Sequence, residues 1–286
     1  MLNPGVKRRE VFGWAMYDFA NSGYTTVVIT AVFAAYFVGA VADKAEWATL
    51  AWTSALSLSY AIVMLSMPAL GEWADRHAAK KKLLMIVTAA CVISTAALSF
   101  VGPGQVGLAI LCIVISNTFY SYGESLTAAF LPELAKPEAM GRISAWGWAW
   151  GYLGGMLTLG ICLAYVLWAQ GQGQSAAQFV PVTMWVTAGL YALAASVTFV
   201  LMKEHSLPQV SRAPAISQWQ QLKQTYHAAK PYKDFMQLMA CAVAYQGGVA
   251  VAITLAAIYA EQVIGFQPQE TMVLIFVLNI AAFVGA

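Results

Sequence analysis

Asp18, Asn21, Ser22 and Thr25 recur at i, i+3, i+4 and i+7, the spacing that puts side chains on one face of a helix. They sit in a run, residues 11–41, in which Asp18 is the one charged residue. An acid in a segment long enough to span a bilayer costs about 2.5–3.5 kcal/mol on insertion scales, so it faces a protein interior or a water-filled cavity and marks a site. A second set repeats the pattern, with Asn117, Tyr120, Ser121 and Glu124 also at i, i+3, i+4 and i+7. Each acid lies about seven residues from the same-side end of its run, roughly 10 Å deep at 1.5 Å rise per residue. The two carboxyls are therefore expected to face one cavity from two helices. There they would contact solute, carry a coupling proton, or only brace the helices through hydrogen bonds.

Other chemistries lack their residues. His77, His205 and His227 all lie in hydrophilic connections, with no HExxH-type pair. Cys91, Cys112, Cys162 and Cys241 fall in separate apolar runs without a CxxC, which reads as buried small hydrophobes. No nucleophile–base or metal constellation supports an enzyme, and no cofactor, metal or nucleic-acid partner is expected.

The elements that must position these residues follow from composition. The chain has 286 residues, 60% of them hydrophobic and only 10% charged, whereas a soluble domain carries about 25% charge. An all-α integral membrane protein is implied, with the lipid bilayer as its solvent. Apolar segments near the spanning length of about 20 residues recur at 11–41, 50–70, 83–101, 106–131, 142–168, 180–202 and 235–260. An eighth begins near Thr271 and the sequence ends within it, which reads as a truncated chain lacking further C-terminal helices. The basic N-terminus does not make the first run a signal peptide, because the run is too long for one.

Orientation follows from Lys and Arg. With strict alternation, every one of the 15 basic residues except Lys44 falls on one side. That side is expected to be cytoplasmic and to hold the N-terminus. The long connection 203–234, with Pro208, Pro214 and Pro231 and a candidate amphipathic helix over 216–227, reads as a cytoplasmic linker. It separates a six-helix unit, 1–202, from the start of a second unit, 235–286. Secondary transporters are often built from such repeated halves, with solute sites at the midplane between them.

Three further strings carry information. Residues 68–82 include Gly71, Asp75, Arg76, Lys80 and Lys81. The lysine run alone is an anchor of the positive-inside kind. The whole string resembles the loop signature of the major facilitator superfamily, with Ala78 where a second glycine is usual. The resemblance implies a gating loop that biases the inward/outward balance. In the fifth run Gly147, Gly151, Gly154 and Gly155 make a GxxxG-type surface for close helix packing, and Trp146, Trp148 and Trp150 serve as interface anchors or as cavity lining. In the seventh run Gln246 is either a cavity donor or bonds a neighbouring helix, with Tyr245, Gly247 and Gly248 beside it.

Together the strings at 13–22, 117–120, 130–134 and 143–155, and the Tyr245…Gly248…Ile258-Tyr-Ala pattern, resemble one branch of that superfamily. It is the unknown major facilitator family, which includes autophagy-related vacuolar amino-acid effluxers. Members often carry an acid where this chain has Gly247. The resemblance implies twelve helices in two halves, alternating access, and efflux of small solutes, amino acids foremost. A bacterial inner-membrane permease fits it. A reading of a different class is a non-transporting membrane scaffold or receptor, or an inactive truncated product. Apart from Arg142 at the very start of the fifth, no Lys or Arg lies in the first seven runs, which disfavours an anionic solute.

Overall fold

A continuous β-branched stretch, Thr25-Thr-Val-Val-Ile-Thr30, decides the shape of the first span. Such side chains lose χ1 freedom against the preceding helical turn and crowd it. In the computed structural model, which describes residues 1–205 and 218–285, α1 (Arg8–Val41) is accordingly not one uninterrupted α-helix as expected. It is α-helical over Arg8–Tyr24, widens to a π-helix over Thr25–Ala31, breaks at Val32, resumes over Phe33–Tyr36, and widens again over Phe37–Val41.

The other elements are α2 (Ala48–His77), α3 (Lys80–Phe100), α4 (Val106–Leu134), α5 (Pro137–Gly171) and α6 (Ala176–Leu201). The short α7 (Gln218–Ala229) precedes α8 (Lys233–Ile264) and α9 (Pro268–Gly285). The expected amphipathic helix corresponds to α7, and residues 216 and 217 lie outside the described residues. Eight described helices are long and apolar enough to cross a membrane, so the chain is a multi-pass membrane protein. Among the described residues the one β contact is an isolated bridge between Leu2 and Ala135.

α1 runs through the middle, flanked along its length by α5 and α6. Its side chains are buried almost all round, including Tyr17, Tyr24, Phe33 and Phe37 at 0% exposure. Trp52 of α2 closes over Phe33 and Phe37 with ring centroids 6.1 and 5.5 Å away. The outward faces of α2, α8 and α9 expose Leu58, Met64, Val243, Val251 and Val277. In lipid such faces need no cover, because the solvent there is hydrocarbon.

The basic connections gather at one end of the bundle. Asn3 Nδ2 donates to the carbonyls of Pro132 and Glu133, pinning the N-terminal segment to the end of α4. Lys80 reaches Glu133, and Lys81 reaches the Met202 carbonyl. The opposite end is tied by Gly104 N–H to Val41 O and by Tyr36 Oη to Val101 O.

Two boundaries differ from expectation. α2 runs to His77 through Pro68, so Gly71, Asp75 and Arg76 sit on its last turns and not in a loop. Only Ala78 and Ala79 join α2 to α3. Ala78 takes the left-handed conformation, φ 47° and ψ 50°, at the place where glycine is usual. That conformation costs an L-residue about 1–2 kcal/mol. Ala78→Gly is therefore expected to stabilise the protein by up to about 1 kcal/mol, after allowance for the freer unfolded chain. Thermal unfolding in detergent checks this, and an unchanged or lower Tm contradicts it.

Candidate functional site

Asp18 projects from the α-helical part of α1 onto the glycine surface of α5. A methyl group built on Gly151 would lie 2.8 Å from Ser22 Oγ and 3.1 Å from Asp18 Oδ2. Gly147 receives the Trp14 ring, Gly155 faces Thr26 Oγ1, and Gly154 faces the backbone carbonyl of Phe19. The four glycines thus form the track on which α1 and α5 meet, and Asp18 is seated on it.

Across from Asp18, Glu124 projects from α4, within electrostatic reach of it. Tyr120 of α4 feels both carboxyls, Tyr60 of α2 feels Glu124, and Tyr152 of α5 feels Asp18 and Tyr245 of α8. The carboxyls therefore lie in one region, with phenols from four helices within electrostatic range. Thr25 Oγ1 donates to Tyr120 Oη at 2.8 Å, and Tyr120 stacks on Tyr24 with centroids 4.9 Å apart. Tyr24 Oη in turn shares a 2.8 Å hydrogen bond with Ser116 Oγ. These contacts hold the Tyr120 ring fixed beside the acids.

The remaining members of the two sequence patterns go elsewhere. Asn21 is 4% exposed and its Oδ1 accepts a 2.6 Å hydrogen bond from Tyr191 of α6. Tyr191 neighbours Tyr17, whose hydroxyl bonds Thr88 of α3 at 2.8 Å. Asn21 so belongs to a buried hydroxyl chain that ties α1, α3 and α6 together. Asn117 is fully buried, with Nδ2 donating to Ser59 Oγ, and Tyr60 lies beside it. Gln246 is exposed on α8. Tyr152 escapes the sequence reading because it stands on no polar face of its helix, and Tyr60 because its face, with Thr53 and Ser57, carries no charge. Cys241, expected to be buried, is exposed on α8.

At the basic end the loop signature becomes a network. Lys80 Nζ bridges Asp75 Oδ1 at 3.0 Å and Glu133 Oε1 at 2.8 Å. Arg76 pairs with Glu72 one turn back on α2. The Glu204 carboxylate accepts from the backbone N–H of Lys80 at 2.7 Å and of Lys81 at 3.2 Å. An anion there satisfies orphan donors and opposes the helix dipole. His205 Nε2 meets Glu10 Oε2 at 2.6 Å, joining the end of α6 to the start of α1. Sequence reasoning missed Glu10, Glu133, Glu204 and His205, because each pairs with a partner distant in the chain.

Residues 48–286 match the family described as "Vacuole effluxer Atg22 like". The chain belongs to this family. A curated relative, the uncharacterized MFS-type transporter YxiO of Bacillus subtilis (strain 168), is 29% identical over 281 residues, covering 94% of this chain and 64% of the relative. The chain thus spans less than two thirds of the length of the curated relative it matches. No solved structure matches. The Atg22-like match takes in Glu124, the Lys80 network and the glycine track. It begins after α1, so Asp18 lies outside it.

Proposed function

We propose that this Atg22-like chain carries most of a secondary transporter of the major facilitator type, which exports a small solute by alternating access. Amino acids are the proposed solute class, and Asp18 and Glu124 the carriers of a coupling proton. The reading is supported by two intramembrane carboxyls, from α1 and α4, that lie within electrostatic reach of each other and of phenols on neighbouring helices, and so could share one space. Such a space accepts the ammonium group of a zwitterion, through the carboxyls and through cation–π contact. Residues 1–202 form the first six-helix half, 203–234 the linker, and 235–286 the start of the second half. The basic end faces the cytoplasm, with the protein in a bacterial inner membrane, as the positive-inside bias supports. The Lys80 network is the proposed gate brace, since Asp75, Glu133 and Glu204 hold separate elements through it.

The test is flux in proteoliposomes against a panel of labelled amino acids, with and without an imposed proton gradient. At least one member is expected to move, faster with the gradient. No flux across the panel, from protein that is folded by thermal and size criteria, overturns the amino-acid reading. It would favour a non-transporting receptor or scaffold.

A further inference from the structure

Glu261 follows the apolar run 235–260, and α8 continues through it as a π-helix, Ala260–Ile264. Its side chain lines a cavity of about 190 Å³ at the end of the bundle opposite the basic connections. The walls come from α1, α6, α8 and α9 and are largely apolar, with Val32, Ala35, Phe179 and Met272 among them. Tyr36 adds a second ring, its hydroxyl already committed to the Val101 carbonyl. Glu261 is the one acidic or basic residue among the lining residues.

Two buried oxygens meet beside this cavity. Glu261 Oε1 is sealed from solvent, and the fully buried Thr271 of α9 lies against the carboxylate. Among the described residues no cation pairs with Glu261. A buried carboxylate left unpaired is costly, and each unsatisfied polar group costs about 1–3 kcal/mol. A carboxylate on an apolar wall with no counter-charge among the lining residues calls for a cationic ligand. The backbone around it is unusual in the same way on both sides. Ala31, Gly39 and Ala40 belong to the two π-helical stretches of α1, and Glu261 to that of α8. π-Turns concentrate at functional sites.

We propose that this cavity is a second binding site, separate from the Asp18–Glu124 space, for a small aliphatic ammonium ion. Its head group donates to the oxygen of the Glu261 carboxylate that is open to the cavity, and its carbon chain lies against Val32, Ala35, Phe179 and Met272. Phe179 and Tyr36 offer ring faces to the cation. Size agrees, since an apolar cavity of about 150 Å³ accepts a benzene molecule. The absence of a lysine or arginine in the lining argues against an anion.

The experiment is thermal unfolding of the detergent-purified protein titrated with propylammonium chloride, with sodium chloride at equal ionic strength and 1-propanol as controls. The expected result is a rise in Tm of roughly 3–5 °C at tenfold saturation, absent with either control. Glu261→Gln is expected to abolish the rise and Asp18→Asn to retain it. Ala40→Leu, which fills the cavity and leaves the acid in place, is expected to abolish it too, and serves if Glu261→Gln does not fold. No propylammonium-dependent rise in the wild type, an equal rise with propanol, or a rise retained in both cavity variants overturns the proposal. Loss of the rise in Asp18→Asn with retention in Glu261→Gln places the amine in the central space instead. None of these readings depends on transport, so the site stands or fails apart from the proposed flux.

Discussion

Gly154→Ala is expected to be the most destabilising small substitution in the α1–α5 interface, lowering stability by about 3 kcal/mol or more. A methyl group on Gly154 would enter the space of the Phe19 carbonyl oxygen, carbonyl carbon and Cα, all backbone atoms. Backbone cannot rotate aside as a side chain can, so α1 must move bodily. α1 is held on its other flank by α6, where a methyl group on Gly13 would lie 2.9 Å from Leu201 Cβ, so the movement spreads through the bundle. In lipid there is no hydrophobic gain from water to offset such a gap, and association rests on packing. Gly151→Ala collides with Ser22 Oγ and Asp18 Oδ2, which are side-chain atoms able to shift, and is expected to be milder. Gly189→Ala on α6 meets nothing within 4 Å and is expected to be neutral or slightly stabilising through helix propensity. Thermal unfolding of the three variants checks the order. If Gly154→Ala melts with the wild type, the glycine track is not what holds α1.

The spans were legible in the sequence because length and charge alone define them in a bilayer. The clustering of the basic connections at one end agrees with the alternation inferred from Lys and Arg. The i, i+3, i+4, i+7 patterns grouped Asp18 with Thr25 and Tyr120 with Glu124, and in the structure Thr25 bonds Tyr120 while the two carboxyls lie within electrostatic reach. They overreached at Asn21. It lies about 60° from Asp18 on a helical wheel, enough to turn it from α5 to α6. Periodicity describes one helix, and which neighbour a marginal position meets is a tertiary outcome. The same limit hid Lys80–Glu133 and His205–Glu10, whose partners are distant in the chain. Glu261 shows a different limit. It follows the apolar run 235–260, where hydropathy ends the span, whereas a π-turn carries the helix on to Ile264. Ala78 shows the reverse: a residue type that disfavours the left-handed turn adopts it because α2 and α3 are fixed on either side.

Asp18→Asn is expected to reduce solute flux by about tenfold or more, the factor that about 1.4 kcal/mol of lost interaction produces, while leaving the fold intact. Asparagine matches aspartate in shape, so the seat on Gly151 beside Ser22 is kept. What it removes is the ability to carry a negative charge or a proton next to Glu124 and the phenols of Tyr120 and Tyr152. A carboxyl that only braced α1 against α5 would be replaced by asparagine with little effect on flux, because the amide still hydrogen-bonds. A carboxyl that binds an ammonium group or shuttles a proton would not. Asp18→Glu separates these further. It keeps the charge but lengthens the side chain into the space in front of the glycine track, so a positional requirement predicts loss there as well. Glu124→Gln is expected to lower flux less, since Glu124 is more exposed and Asp18 remains. Flux and Tm are measured on the same preparations. Wild-type flux in folded Asp18→Asn removes Asp18 from the pathway and leaves it a structural acid. Reduced flux with an unchanged Tm, and a gradient dependence lost with it, assigns the coupling proton to this carboxyl.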